Sequence, residues 1–149
     1  MSETEELDER SILINAAVFW PAESEVKLMV IYNKKWILPG GFLRDIRDES
    51  ALVRKVQDHI SNPVTPLHES PLRVTGKKGG RNHGCWTRYL EVHPFLLDPK
   101  EQPHIKSPIE FSWVNEKATG YGFSELMQNA IHALQKEGYF IPQRLISKV

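Results

Sequence analysis

The nine residues Gly76 to Gly84, GKKGGRNHG, gather more positive charge and backbone freedom than any other short stretch of the chain. Four glycines let main-chain N–H groups approach an anion closely, and Lys77, Lys78, Arg81 and His83 supply positive charge. A loop of this kind suits a polyphosphate or the backbone of RNA. It lacks the Gly-x-x-x-x-Gly-Lys-Ser/Thr order of a P-loop. Trp86 and Tyr89 follow it, and aromatic rings at such positions either stack on a base or pack in a core. The plain alternative is a soluble hairpin loop.

Other chemistries find little support. The six histidines, at 59, 68, 83, 93, 104 and 132, form no His-Glu-x-x-His zinc motif. No serine occupies a Gly-x-Ser-x-Gly elbow. Cys85 is the single cysteine, so the chain has no internal disulfide and no thiolate zinc cluster, which points weakly to a reducing compartment. Nineteen basic side chains balance nineteen acidic ones, and a net charge of zero gives no bulk attraction to nucleic acid or membrane. The acidic opening MSETEELDER is neither a signal peptide nor a mitochondrial presequence. No apolar run reaches the length of a membrane helix. The expected location is the cytoplasm, or cytoplasm and nucleus.

The elements that position these residues are legible in outline. With 149 residues, 40% of them hydrophobic, the chain fits one folded domain. Residues 1–10 read as a disordered acidic tail and 11–149 as the domain. Ser11 to Trp20 is an apolar, β-branched run that reads as a buried strand. Val26 to Tyr32 and Trp36 to Leu38 are further strands, each bounded by turn residues. Asp48 caps a helix whose Leu52, Val53, Val56 and Ile60 keep helical spacing up to Ser61-Asn62-Pro63. Strands follow over Pro71–Gly76, Cys85–Leu97 and Phe111–Val114, with Trp86, Arg88, Leu90 and Val92 sharing one face. A last amphipathic helix runs from about Phe123 to Lys136, with Gly138 as its stop. The order β-β-β-α-β-β-β-α fits a mixed sheet between helices, an α/β (α+β) architecture.

The segment WILPGGFLRDIRDESALVRKVQDHIS, Trp36 to Ser61, resembles the Nudix box and the strand leading into it. Trp36 to Gly41 match the lead-in, Arg54 the motif arginine and Val56 the apolar position. Gly41 to Arg54 is one residue shorter than the family spacing. The loop glutamate falls on Asp45 or Ile46, the next acidic position is Lys55, the Glu-Glu pair is Asp58-His59, and the glycine is Ser61. Phe111 to Glu116 and the terminal helix are similar to the family's closing strand and helix, so the likeness spans roughly Ser11 to Lys136.

The resemblance implies the Nudix α/β/α sandwich. It implies that Arg54, Asp58 and His59 stand at the catalytic positions, and that Asp58 and Asp45 stand where metal ligands belong. It also implies that Gly40, Gly41 and Lys55 face a ligand, to which the basic loop, on its own residue types, would add Lys77, Lys78, Arg81 and His83. In the family the glutamates hold Mg²⁺ against a diphosphate, with Mn²⁺ as a substitute. Lysine repels a cation, and imidazole is a poor Mg²⁺ ligand. Mg²⁺ or Mn²⁺ is thus implied only for an active enzyme, whose carboxylate would come from Asp45, Asp48, Glu49, Asp58, Glu116 or Glu125. Two functions follow from the likeness. One is a binding domain for a nucleotide, polyphosphate or protein partner with little or no hydrolysis. The other is a divergent pyrophosphohydrolase of nucleoside diphosphate-X, dinucleoside polyphosphate or diphosphoinositol polyphosphate. From another class stands an RNA-binding module using loop 76–84.

Overall fold

The computed structural model describes residues 12–22, 25–32, 34–80, 84–98, 103–104, 110–117 and 121–146. The stretch 1–10, expected as a tail, lies outside the described residues. The first apolar run forms strand β1, Ile12–Ala22. Ile14 to Phe19 are all buried, because β1 is covered on both faces and so needs no polar alternation. It pairs in parallel with β7, Gly84–Leu97, from Ile12 opposite Tyr89 to Phe19 opposite Leu96. Along its other edge, β4 (Gly40–Phe42) and β2 (Glu25–Tyr32) pair antiparallel with its first and last thirds. Strands β3 (Trp36–Ile37) and β8 (Phe111–Val114) pair with β2, and β5 (Val64–Pro66) and β6 (Leu72–Gly80) pair with β7.

Side chains alternate across this mixed sheet and build two cores. Ile14, Ala16, Val18, Phe95 and Leu97 pack with Leu52 and Val56 of helix α1, Glu49–Gln57. Ala17, Phe19, Leu90 and Val92 pack with Met127, Ala130, Ile131 and Leu134 of helix α2, Glu125–Lys136. The result is the helix–sheet–helix sandwich anticipated from the element order. Helix α2 ends as its glycine foretells: Gly138 has φ +81°, its N–H donates to Gln135 O, and the Tyr139 N–H donates to Leu134 O. Helix α3, Pro142–Ile146, was not foreseen. It is held by Glu69, whose Oε1 accepts from the Tyr139 hydroxyl at 2.5 Å and from Arg144 at 2.9 Å. Burial, reinforced by the bond to Glu69, pushes the Tyr139 hydroxyl above the ordinary tyrosine range, so it remains a donor.

Two expectations need correction. The basic segment 76–84 is not a loop throughout. Gly76 to Gly80 belong to β6 and pair with Gly84 to Arg88, leaving 81–83 outside the described residues. The glycines permit this because α2 crosses directly above: a Cβ on Gly76 would lie 2.8 Å from the Leu126 Cα. Helix α2 also covers part of the free edge of β6. Glu125 accepts from the Lys77 N–H at 2.8 Å, and the Asn129 amide donates to Thr75 O at 2.7 Å.

The first helix is also shorter than its apolar spacing indicates. It stops at Gln57, with Asp58 as C-cap. The Gln57 amide donates to Ile60 O at 2.7 Å and to Asn62 O at 2.9 Å, which closes the end of the helix and turns Ile60 into the core. Pro39-Gly40-Gly41 ends β3 as its turn residues indicate, and Gly40 and Gly41 then open the further strand β4. A Cβ at Gly40 would lie 2.2 Å from Ile14 O, so only glycine allows β4 to approach β1 this closely.

Gly76→Ala is expected to cost about 2 kcal/mol in denaturant unfolding, as overpacking does. Gly41→Ala, where the nearest atom is the Ile46 side chain at 3.5 Å, is expected to cost far less. Equal losses would show that the α2 crossing does not depend on Gly76.

Candidate functional site

The acidic residues around α1 have local tasks. Asp48 is the N-cap, its Oδ1 accepting from the Ala51 N–H at 2.8 Å, and Glu49 sits in the first turn where the helix dipole favours it. Asp45 is exposed in the preceding turn, 3.8 Å from Arg44. Ile46, its neighbour at the loop-glutamate position, is buried in the α1-side core against Gly41. Arg54, Lys55 and Asp58 are exposed. His59 is half-buried and its Nδ1 is buried without a partner. Burial lowers the His59 pKa, Asp58 opposes this, and Lys55 adds to it.

This donor set does not fit Mg²⁺. A lysine stands at one box position, a largely neutral imidazole at another, and either exposed Asp45 or buried Ile46 at the loop position. Among the described residues no three His, Cys, Asp or Glu side chains form a metal site. Glu125 is engaged at the edge of β6, and Glu116 lines a small hollow with Glu25 and Lys117 after β8. Neither belongs to the α1 face.

The main cavity opens on the opposite face of the sheet, between β1, β4, β7 and the start of α2. Its volume is about 530 Å³, within the usual range for a small-molecule site. Leu13, Leu38, Leu90, Leu126 and Met127 supply apolar walls, and Phe42 lies under Arg88 with 5.9 Å from guanidinium carbon to ring centroid. Lys35 is exposed at the lining, and Ser124, the N-cap of α2, brings a helix N-terminus to it. No carboxylate lines this cavity among the described residues. Two buried polar atoms of lining residues lack partners, Asn15 Oδ1 and Arg88 Nε.

The ligand-binding residues read from the sequence are therefore divided. Gly40, Gly41 and Lys77 line the cavity. Lys77 does so with its main chain, since its ammonium donates to Thr87 Oγ1 at 3.1 Å on the other side of the sheet. Lys78 is a strand residue opposite Trp86, with neither side chain among those described. Arg81 and His83 lie outside the described residues. Arg54, Lys55, Asp58 and His59 are not among the lining residues. Sequence reasoning missed Asn15 and Lys35 as cavity residues, and it placed Arg88 on a strand face without giving it a role. The available signals were a polar residue inside the apolar run ILINAAVFW and a charged residue on the apolar face of β7.

No protein-family model matches the chain, and no curated protein does. Solved structures do. A Nudix hydrolase from M. smegmatis, RenU, superposes with a TM-score of 0.60 at 16% identity, covering 87% of this chain and 86% of that one. The Nudix domain of Shewanella oneidensis NrtR, complexed with ADP ribose, gives 0.56 at 14% identity, covering 92% and 99%. The C. elegans Ap4A hydrolase gives 0.54 at 10% identity, covering 91% and 95%. The chain has the Nudix fold. On that fold the box segment occupies β3, β4, the following turn and α1, and the cavity lies across the sheet from α1. No helix among the described residues is long and apolar enough to cross a membrane.

The His59 environment makes a pH prediction. Above its ordinary pKa of 6.5 the imidazole is neutral in folded and unfolded chains alike. Below that value the unfolded chain takes up the proton first, so stability falls as pH drops towards the lowered folded pKa. His59→Gln is expected to flatten the loss of melting temperature between about pH 7 and about pH 5. An unchanged slope would show that His59 is as solvated as in the unfolded chain.

Proposed function

We propose that this domain binds a nucleotide or related diphosphate-bearing small molecule in the α2-side cavity and does not cleave it. The observation that carries this reading is the cavity's lining: apolar walls, cations and a helix N-terminus, with no carboxylate among the described residues. Such a site accepts a flat ring and holds attached phosphate charge. The solved NrtR Nudix domain was complexed with ADP ribose, a ligand of this class. Loss of hydrolysis follows from the box. Metal charge supplies much of the transition-state stabilisation in diphosphate cleavage, and Lys55 and His59 stand where carboxylates would assemble the metal. Lys55, Asp58 and His59 act in this reading as a surface and cap of α1. No metal ion is required for binding.

The test is calorimetric titration with ADP, ADP-ribose, ATP and a dinucleoside polyphosphate, in EDTA and then in Mg²⁺ or Mn²⁺, alongside phosphate-release assays. The expected result is binding in EDTA without turnover in either metal. Arg88→Ala is expected to weaken binding about tenfold or more, as loss of a charge-assisted hydrogen bond does. Asp58→Ala should leave binding unchanged. Metal-dependent turnover that Asp58→Ala abolishes would make the protein a divergent hydrolase instead.

A further inference from the structure

Asn15 is a polar residue in the middle of the most buried strand, 7% exposed, and it lines the cavity. Its amide nitrogen donates to the Leu38 carbonyl at 2.6 Å. A carbonyl only accepts, so this bond fixes the orientation of the amide: Nδ2 is committed to Leu38, and Oδ1 is the end left over. Oδ1 is buried and has no partner. Close packing against Gly40 further fixes the side chain, since the space a Cβ there would occupy lies 2.9 Å from Asn15 Cγ. A leucine or valine would fill this position of β1 without an unpaired side-chain oxygen, at the loss of the donor to Leu38 O. On the same face of the sheet, Arg88 of β7, four positions before the Val92 that pairs with Asn15, presents the opposite polarity. Its Nε is buried, unpartnered and a donor only, on a guanidinium set over Phe42.

We propose that Asn15 and Arg88 select the ligand by the edge of its heterocyclic base. An N–H of the base donates to Asn15 Oδ1, and a carbonyl or ring nitrogen of the base accepts from Arg88 Nε. This rests on the nucleotide-binding reading above and deepens it in two ways. First, it orients the ligand. Phosphate offers only acceptors and negative charge, which Asn15 Oδ1 repels, so the base occupies the buried end and the phosphates leave past exposed Lys35. Second, it sets the class. The base must carry both an N–H donor and an acceptor on its rim, as adenine and guanine do, and a base without any N–H is rejected because Oδ1 would stay unpaired in the complex.

The experiment compares ADP and GDP with purine riboside 5′-diphosphate, whose base has no N–H, and with inorganic pyrophosphate, on the wild-type protein by calorimetry. The tighter of ADP and GDP is expected to bind at least about tenfold better than the purine riboside analogue. In Asn15→Leu that preference should shrink to within about twofold while phosphate-dependent binding persists. The ligand comparison on unmodified protein holds even where Asn15→Leu fails to fold. Equal affinity for purine riboside diphosphate and for both natural nucleotides would overturn the inference. So would equal binding of pyrophosphate, which would leave anion binding intact and remove the base from the buried end. Absence of binding by every compound would overturn the nucleotide reading itself, and this inference with it.

Discussion

The parallel pairing of β1 with β7 is the constraint on which the rest depends. Eight consecutive registered positions, Ile12 opposite Tyr89 to Phe19 opposite Leu96, decide which side chains meet α1 and which meet α2. A shift of one residue would exchange the two sets. Ile14, Ala16 and Val18 would face α2, and Asn15 would be forced into the apolar α1 core. The register also places Asn15 and Arg88 on the same face, and β4 completes that arrangement by bringing Leu38 and Phe42 alongside. Gly40 and Gly76 are the two points where a neighbouring element comes too near the sheet for a Cβ, Gly40 against β1 and Gly76 under α2.

Around this frame the polar groups are deployed unevenly. On the α1 side the Asp48 carboxylate closes the helix start, the Asp58 carboxylate is exposed at the helix end while its backbone N–H donates to Arg54 O, and Asp45 meets Arg44 in the turn. A helix cap of this kind contributes about 1 kcal/mol, an ordinary structural role. On the α2 side, Asn15 Oδ1 and Arg88 Nε are buried without partners. An unpaired buried polar atom costs about 1–3 kcal/mol. Trp20 Nε1 and His59 Nδ1 are likewise buried without partners on the α1 side, but among the described residues it is on the α2 side that two such atoms belong to residues lining one cavity. In the proposed reading it is this cavity that takes the ligand.

Much of the fold was legible because periodicity is a local property. The apolar run of β1, the alternation along β7, the Asp48 cap and the Gly138 stop were all visible in single stretches of sequence. What was not legible depends on partners distant in sequence. The strand character of Gly76–Gly80 comes from pairing with β7 and from α2 lying over Gly76, neither of which a glycine-rich, basic string reveals. The early end of α1 depends on Gln57 folding back to Ile60 and Asn62, although Ile60 keeps helical spacing. At the site, the glycines of the Trp36–Gly41 lead-in were readable, and both line the cavity. Asn15 was hidden because a single polar residue in an apolar run carries no spacing signal; its meaning appears only with Leu38 beside it. The residues of α1 drew attention through their motif positions, while the cavity, its lead-in glycines apart, is built from elements that have no motif.

The central claim is that ligand engages the face of the sheet opposite the box helix. Amide chemical-shift mapping by NMR, titrating the labelled protein with ADP-ribose in EDTA, tests this most directly. The account predicts saturable shifts at Asn15, Gly41, Phe42, Gly76, Arg88 and Leu126, with Arg54, Lys55, Asp58 and His59 unmoved. Shifts confined to those four residues of the box segment would contradict it.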